Sequence, residues 1–358
     1  FIDEDEPNIQ ISSSQFNYFY YSADGMHNAI HVYNFTGGTF INPVDYDHLE
    51  NTLYANGMSF EGAYRDSILR IRRINDTLLV ETMIPAGTGS LLPFSAIHVL
   101  PWKSRGGTVV LAGSQSGRLY RLDKAQSEIS ATEIGSHEFP SGYISCIQTG
   151  STAEQILVTF SNYGVKHVWE TNDGGITWQD KSGNLPDMPV RWAIYPPGAP
   201  GSVMLATEFG IWYTQDISMD SVIWMQDGDD FPNVRVDMLR SRKSDNHILA
   251  ATHGRGLFLS SGPLELDNRP ALSPEGDIKI FPNPASDHIS VQIRSLGQGD
   301  LTLGIYSLDG KRIREEIIQK PQQAFTYRLP LEGVLPGSYI LRVGTGDQYI
   351  SKTFIKKE

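Results

Sequence analysis

The sequence predicts an all-β protein of two domains, and three observations carry that prediction. The first 262 residues repeat a strand-rich unit, and the last eighty-one alternate apolar and polar residues strand by strand. The composition, with 34 Gly, 20 Pro and 10% aromatic residues, suits short strands joined by many turns. A chain of 358 residues is long enough to bury a core in each of two domains.

The repeat is marked by Pro43, Pro93, Pro140, Pro189 and Pro232, each followed within a few residues by an apolar run such as SAIHVLPW, SGYISCIQ or VRWAIYPP. A second apolar strand, a turn and a third strand follow, and Gly117, Gly164, Gly210 and Gly256 stand 46 or 47 residues apart. A period of this size with three or four short strands per unit predicts a β-propeller. Counting Pro7 as another start gives six units, with a short first one. The last unit stops after three strands near Ser260. Either residues 1–11 complete it, or the chain is the C-terminal part of a larger propeller.

Residues 263–277 contain three prolines, several charges and little apolar character, which marks a linker open to proteolysis. From Ile278 onward, Ile289, Val291 and Ile293 alternate with polar neighbours, as do Leu301, Leu303 and Ile305. Asp309 and Gly310 supply a tight hairpin, and residues 338–343 and 349–355 supply later strands. About seven short strands predict a small Ig-like β-sandwich over residues 278–358.

Two motifs resemble known families. The tail reads IKIFPNPASDHISVQI, then LTLGIYSLDGKRI, LPGSYILRV and SKTFIKKE. It resembles the type A C-terminal sorting domain of the Bacteroidetes type IX secretion system over residues 278–358. The resemblance rests on Pro282, Asn283, Pro284, Gly337, Tyr339, Lys352, Lys356 and Lys357 as the sorting signal. It implies export to the cell surface or secretion, with the translocon, an outer-membrane shuttle barrel and a surface sortase as partners. Sortase cleavage would then fall in the linker, although the domain can also stay attached to cargo held by the export apparatus.

In the repeat region, residues 171–178 read TNDGGITW, which resembles the Asp-box of BNR repeats found in sialidases, sortilin-like receptors and some glycoside hydrolases. Thr171, Asp173, Gly175 and Trp178 carry the match. Asp173 is suited to bond its own turn, Gly175 to a left-handed backbone, and Trp178 to burial between neighbouring units. Asp24 and Asp216 sit in degenerate copies. Such boxes are mainly structural fasteners.

For a site, the starts of the inner strands ring the central channel. Three residues after four of the prolines stand Ala96, Tyr143, Trp192 and Arg235, with Arg191 beside Trp192. Tyr143, Arg191, Trp192 and Arg235 form a candidate ligand-binding set able to stack on sugar rings and bond their hydroxyls. Glycoside hydrolysis needs two carboxylates across a cleft, and Asp45 and Asp237 are the acids nominated. No Arg-Ile-Pro type sialidase string is present.

Net charge is −12, and residues 278–358 hold 11 Lys and Arg against 8 Asp and Glu, leaving 18 basic and 33 acidic residues before them. An acidic body argues against nucleic acid or an anionic membrane as ligand. The sequence predicts no cofactor and no metal. Residues 227–230 form a solvated acidic turn without EF-hand spacing, and His253 lacks a partner at metal spacing. Cys146 is the single cysteine and reads as a buried thiol. Asp66-Ser67-Ile68, Asp76-Thr77-Leu78 and Asp220-Ser221-Val222 resemble Bacteroidetes O-glycosylation sequons. No apolar stretch is long enough to span a bilayer. The chain opens at Phe1 without a charged-then-apolar leader, so a signal peptide is expected to lie upstream or to have been removed. The sequence therefore favours a surface binding or structural module with a glycan or a surface protein as ligand; the alternatives are a glycoside hydrolase acting on polysaccharide and a cargo or accessory subunit retained by the outer-membrane export apparatus.

Overall fold

The computed structural model describes residues 1–357 except 4, 33–36, 59–64, 74, 76–78, 103–106, 136, 227–230, 232, 243, 261–277, 295–298, 308–310, 321–323 and 346–347. The hairpin at Asp309 and Gly310, the linker, the acidic turn at 227–230 and the Asp76-Thr77-Leu78 sequon lie outside the described residues. Two compact units divide the chain: Phe1–Gly228 with Arg235–Leu264, and Asp229–Val234 with Glu265–Glu358.

The first unit is six antiparallel sheets in chain order. β1 (Gln10–Ser13), β2 (Phe19–Ser22) and β3 (Ile30–Val32) form the first. β4 (Val44–Asp47), β5 (Thr52–Asn56), β6 (Ser67–Arg73) and β7 (Leu79–Pro85) form the second. The third holds β8 (Phe94–Val99), β9 (Val110–Ser114), β10 (Leu119–Asp123) and β11 (Ser130–Glu133). The fourth holds β12 (Ile144–Thr149), β13 (Ile156–Phe160), β14 (Val168–Thr171) and β15 (Gln179–Asp180). β16 (Val190–Ile194), β17 (Val203–Thr207), β18 (Gly210–Thr214) and β19 (Met225–Gln226) make the fifth, and β20 (Val236–Arg242), β21 (His247–Thr252) and β22 (Gly256–Leu259) the sixth.

Burial shows why these sheets assemble as a propeller. The second strands β5, β9, β13 and β17 are buried at every residue, on both faces. A sheet covered on both sides needs a neighbour on each, so the core is a series of layers between consecutive blades. Phe19, Tyr46, Leu53 and Ile71 fill the first layer, and Tyr54, Phe94, Val110 and Tyr120 the second. Ile144, Val158, Phe160 and Trp178 lie in the third, with Val190, Leu205 and Trp224 in the fourth. The first strand of each four-stranded blade is the inner one.

Residues 1–11 do not complete the sixth blade. Ile2 bridges antiparallel to Gln10, and the Ile11 amide donates to the Phe1 carbonyl, so this segment extends the first sheet on its inner side. The ring meets itself there through Arg240 of β20, whose guanidinium lies 5.8 Å from the Phe1 ring centroid.

A repeated irregularity sets the frame of the blades. Pairing shifts between Phe94 and Ala96, Ile144 and Cys146, Val190 and Trp192, and Val236 and Met238. The bulged residue is turned out of the ladder. At two blades it is a serine that reaches the following blade: Ser95 Oγ donates to the Ile144 carbonyl (2.8 Å) and Ser145 Oγ to the Val190 carbonyl (2.6 Å). The bulges align Ala96 with Cys146, Trp192 and Met238. The prolines do not share this frame, because Pro93 and Pro189 touch their strands while Pro140 lies four residues ahead of Ile144. Tyr143 and Arg235 accordingly precede their inner strands, whereas Trp192 lies within one.

The second unit is a two-sheet sandwich. β23 (Ile278–Phe281), β24 (His288–Arg294) and β27 (Ala324–Pro330) form one sheet. β25 (Gly299–Ser307), β26 (Arg312–Lys320), β28 (Gly337–Thr345) and β29 (Gln348–Lys356) form the other, in the order β26, β25, β28, β29. The alternating residues meet between the sheets: Ile289, Val291 and Ile293 face Leu301, Leu303, Ile305, Leu341 and Phe354 in one buried cluster.

Candidate functional site

The inner strands carry a chain of polar contacts around the channel. Asp45 Oδ2 on β4 accepts from the Val99 amide (2.8 Å) and lies 3.3 Å from His98 Nδ1 on β8. His98 Nε2 in turn meets Thr149 Oγ1 on β12 at 3.0 Å. Burial pushes the Asp45 carboxyl up, but the His98 and Val99 hydrogen bonds and the electrostatic pull of His98 and Arg240 outweigh it, leaving the group below its ordinary range. Cys146 is buried, and burial pushes its thiol up to about 11 despite weak bonds to Ala193 and Gln148, so it is an inert thiol at neutral pH.

Trp192 on β16 is the aromatic residue of this ring. The Arg240 guanidinium lies 5.1 Å from its ring centroid, and its indole N–H is buried with no hydrogen-bond partner. The other ligand candidates are engaged elsewhere. Arg191 bonds Glu208 Oε2 at 2.5 and 3.1 Å, and Arg235 Nε donates to Asp237 Oδ1 at 2.7 Å. Tyr143 takes a backbone bond from its amide to Asn162 Oδ1 (2.6 Å), and burial raises its phenol. The cation on Trp192 is thus Arg240, which the proline frame missed and the bulge alignment with His98 and Gln148 would have found.

The two nominated acids take different partners, Asp45 in the channel and Asp237 beside Arg235, with His253 Nδ1 3.8 Å from Asp237 Oδ2. Among the described residues no group of three His, Cys, Asp or Glu gathers where a metal could bind. Ser67 is buried, which withdraws its hydroxyl from modification, while Ser221 is exposed.

The turn at residues 171–178 folds around one carboxylate. Asp173 Oδ1 accepts from the Ile176 amide (3.0 Å), the Thr177 amide (2.9 Å) and Thr171 Oγ1 (2.7 Å), and Oδ2 from Thr177 Oγ1 (2.6 Å). Gly175 has φ +97°, and a Cβ there would meet Ile134 at 2.8 Å. Trp178 Nε1 reaches back one blade to the Ile134 carbonyl at 2.7 Å. The first blade repeats the scheme: Asp24 accepts from the Asn28 amide (2.9 Å), Asn28 Nδ2 (2.7 Å) and Ser22 Oγ (2.7 Å).

These bonds pull both carboxyls down to about 2, chiefly Thr177 for Asp173 and the Asn28 amide for Asp24. A depressed folded-state pKa gives stability that is full above the ordinary value of about 3.8 and is lost as pH falls toward 2. The thermal midpoint is therefore expected to drop between about pH 4 and 2. The paired Asp24→Asn and Asp173→Asn chain should show a flatter profile there in circular-dichroism melts; an unchanged slope would remove the two turns from the acid response.

In the second unit the signature residues converge on the last strand. Asn283 Oδ1 accepts from the Ile355 amide (2.8 Å), and its Nδ2 lies 3.5 Å from the Thr353 carbonyl. Pro282 and Pro284 flank it with cis peptide bonds. Ala285 bridges parallel to Lys356, donating to the Ile355 carbonyl (2.8 Å) and accepting from the Lys357 amide (2.8 Å). Gly337 pairs with Lys356 and Leu341 with Lys352, while Tyr339 stacks on Phe354 at 5.8 Å. Motif residues some seventy positions apart in sequence are one assembly around β29.

The architecture and this assembly define an exported β-propeller protein. Residues 279–357 match the family model described as Secretion system C-terminal sorting domain. The chain carries a type IX sorting domain that marks it for export to the cell surface or secretion. No helix among the described residues is long and apolar enough to cross a membrane.

Comparison with curated proteins gives no match. Among solved structures, Raptor of Chaetomium thermophilum is 14% identical with a TM-score of 0.47, over 91% of this chain and 28% of that one. PorZ of Porphyromonas gingivalis, described as an essential surface component of the type IX secretion system, is 12% identical with a TM-score of 0.33, over 98% and 66%. The extracellular domain of the putative one-component system BT4673 from B. thetaiotaomicron is 12% identical with a TM-score of 0.42, over 100% and 56%. The chain thus spans less than two thirds of each of these three.

Proposed function

We propose that the chain is a surface-displayed binding module whose propeller, residues 1–262, holds a glycan at the channel through Trp192. The observation that carries this reading is the half-buried Trp192 ring on an inner strand with the Arg240 guanidinium 5.1 Å from its centroid. An aromatic face next to a planar cation suits the C–H faces and hydroxyls of a sugar. On this reading Arg191, beside Trp192 on β16, and Tyr143 and Arg235, just ahead of β12 and β20, supply further ligand contacts, and the ion pairs with Glu208 and Asp237 fix the orientation of the two arginines. The turn at residues 171–178 is, on this reading, an Asp-box of the BNR kind with a fastening role. Residues 278–358 are handled by the translocon, the shuttle barrel and a sortase that cuts within residues 263–277.

The test is retention of the purified chain on immobilised plant, host and bacterial polysaccharides, with reducing-end release followed in parallel. Retention is expected to weaken about tenfold in Trp192→Ala, the order of one lost aromatic contact. Release that disappears in Asp45→Ala or Asp237→Ala would replace the binding reading with a glycoside hydrolase. Absence of both retention and release on every polysaccharide would overturn the glycan as ligand.

A further inference from the structure

The ring of blades is open between its last member and its first. In the second to fifth blades the second strand is buried at every residue, whereas β1 has no fully buried residue and β21 buries only Ile248 and Ala250. Leu239, Ile248 and Ala250 lie on the face of the sixth blade that turns to the fifth, and all three are buried. On the opposite face Leu249, Leu257 and Leu259 are 36, 67 and 58% exposed.

These leucines form one patch. Register sets Leu249 opposite Leu259 and Ala251 opposite Leu257, so the four share a face of two neighbouring strands. The same positions are covered one blade earlier, where Met204 pairs with Tyr213 and Ala206 with Ile211. Val203 and Leu205 pack back into the layer shared with the fourth blade, which leaves Met204, Ala206 and Ile211 on the side toward the sixth, at 4, 0 and 4% exposure. The bare leucines thus occupy positions that a propeller uses to join blades. A contiguous apolar patch of this kind marks an interaction surface.

The first blade does not cover it. Arg240 reaches the Phe1 ring near the axis, but farther out Ile2 and Tyr20 remain exposed on the first blade's own bare side. That side is also a poor match for leucines, because Gln10 and Ser12 share it with Tyr20. The surface that does match is the same leucine face on another molecule. Its cations do not oppose this: Arg240 is held over the Trp192 ring, and Arg242 is paired with Asp245. A contact of like face with like face closes after two copies, while stacking the sixth blade on a first blade would leave bare ends and grow without limit.

We propose that the chain forms a two-fold dimer in which the bare face of the sixth blade packs against the same face of a second copy, burying Leu249, Leu257 and Leu259 of both. The interface does not rest on the reading given for Trp192.

The experiment is sedimentation velocity of the full chain over a wide range of concentration. A dimer that dissociates on dilution is expected. Leu257→Lys and, separately, Leu259→Glu change exposed side chains that the monomer does not need, and each enters a two-fold interface twice, so each should raise the dissociation constant about a hundredfold. Tyr20→Lys, on the bare side of the first blade, should leave the dimer unchanged. A monomer at every concentration, growth into longer polymers, a dimer that survives both leucine variants, or one that Tyr20→Lys dissolves would each overturn the proposal.

Discussion

Replacing Lys181 with methionine is expected to destabilise the propeller by about 3–5 kcal/mol, the usual cost of removing one partner from a buried ion pair. Lys181 is 2% exposed and Glu170 1%. The ammonium lies 3.9 Å from Glu170 Oε2 and donates to the Met219 carbonyl of the next blade at 3.1 Å. Glu170 Oε1 accepts from Gln155 Nε2 (3.1 Å) and from the Tyr195 hydroxyl (3.4 Å), but Oε2 has no hydrogen bond. Without the lysine, this carboxylate would be left buried and uncompensated.

Burial already raises the Glu170 pKa above its ordinary value, against the pull of Gln155 and Lys181. A raised pKa gives stability that is full below the unfolded value and is lost as pH rises through the folded one. The Lys181→Met defect should therefore be larger at pH 7 than near pH 4–5, where the carboxyl takes up a proton. Adding Glu170→Gln should recover most of it. All six tryptophans lie between Trp102 and Trp224, so guanidinium unfolding read by tryptophan fluorescence reports this unit. A defect that is independent of pH and not relieved by Glu170→Gln would show that the pair does not matter as a pair.

Asn283→Ala is expected to abolish most surface display while leaving the sandwich folded. The substitution removes two hydrogen bonds to the backbone, one of them long, worth about 0.5–1.5 kcal/mol each, which a domain with fifteen buried core residues can absorb. The loss falls on Ile355, where β29 pairs only with β28 inside its own sheet. Without Asn283 the end of β29 at Ile355, beside Lys356 and Lys357, is held on this side by the Ala285 bonds alone and loosens locally. Asn283→Asp keeps the acceptor for the Ile355 amide and should restore display, which a generally unfolded domain would not allow. The readout is surface labelling of intact cells against the periplasmic pool, alongside amide exchange at Ile355. Normal display of Asn283→Ala despite fast exchange at Ile355 would show that a fixed last strand is not what the export machinery reads.

Much of this architecture was legible in the sequence because propeller periodicity is coarse. Glycines 46 or 47 residues apart and repeated apolar strands define six units without any knowledge of their packing. The sandwich was readable from alternation at Ile289, Val291 and Ile293, since a period of two has one solution when one face is buried. The site was less legible. A bulge adds one residue without leaving a composition signal, so counting from prolines placed Tyr143 and Arg235 level with Trp192 and overlooked Arg240. Asn283 was visible as a motif residue, but its partner Ile355 is 72 positions away and is joined to it only by the fold.

The clasps between blades have a consequence for how such a chain can change. Ser95 and Ser145 reach forward near the axis, while Trp178 and Trp224 reach backward at the outer edge, to the carbonyls of Ile134 and Lys181. All four acceptors are main-chain oxygens, which any residue can provide. A blade that brings its own serine and tryptophan makes these bonds whatever side chains its neighbours present. The units are in that respect interchangeable parts, free to be duplicated or exchanged while the sequences on either side drift.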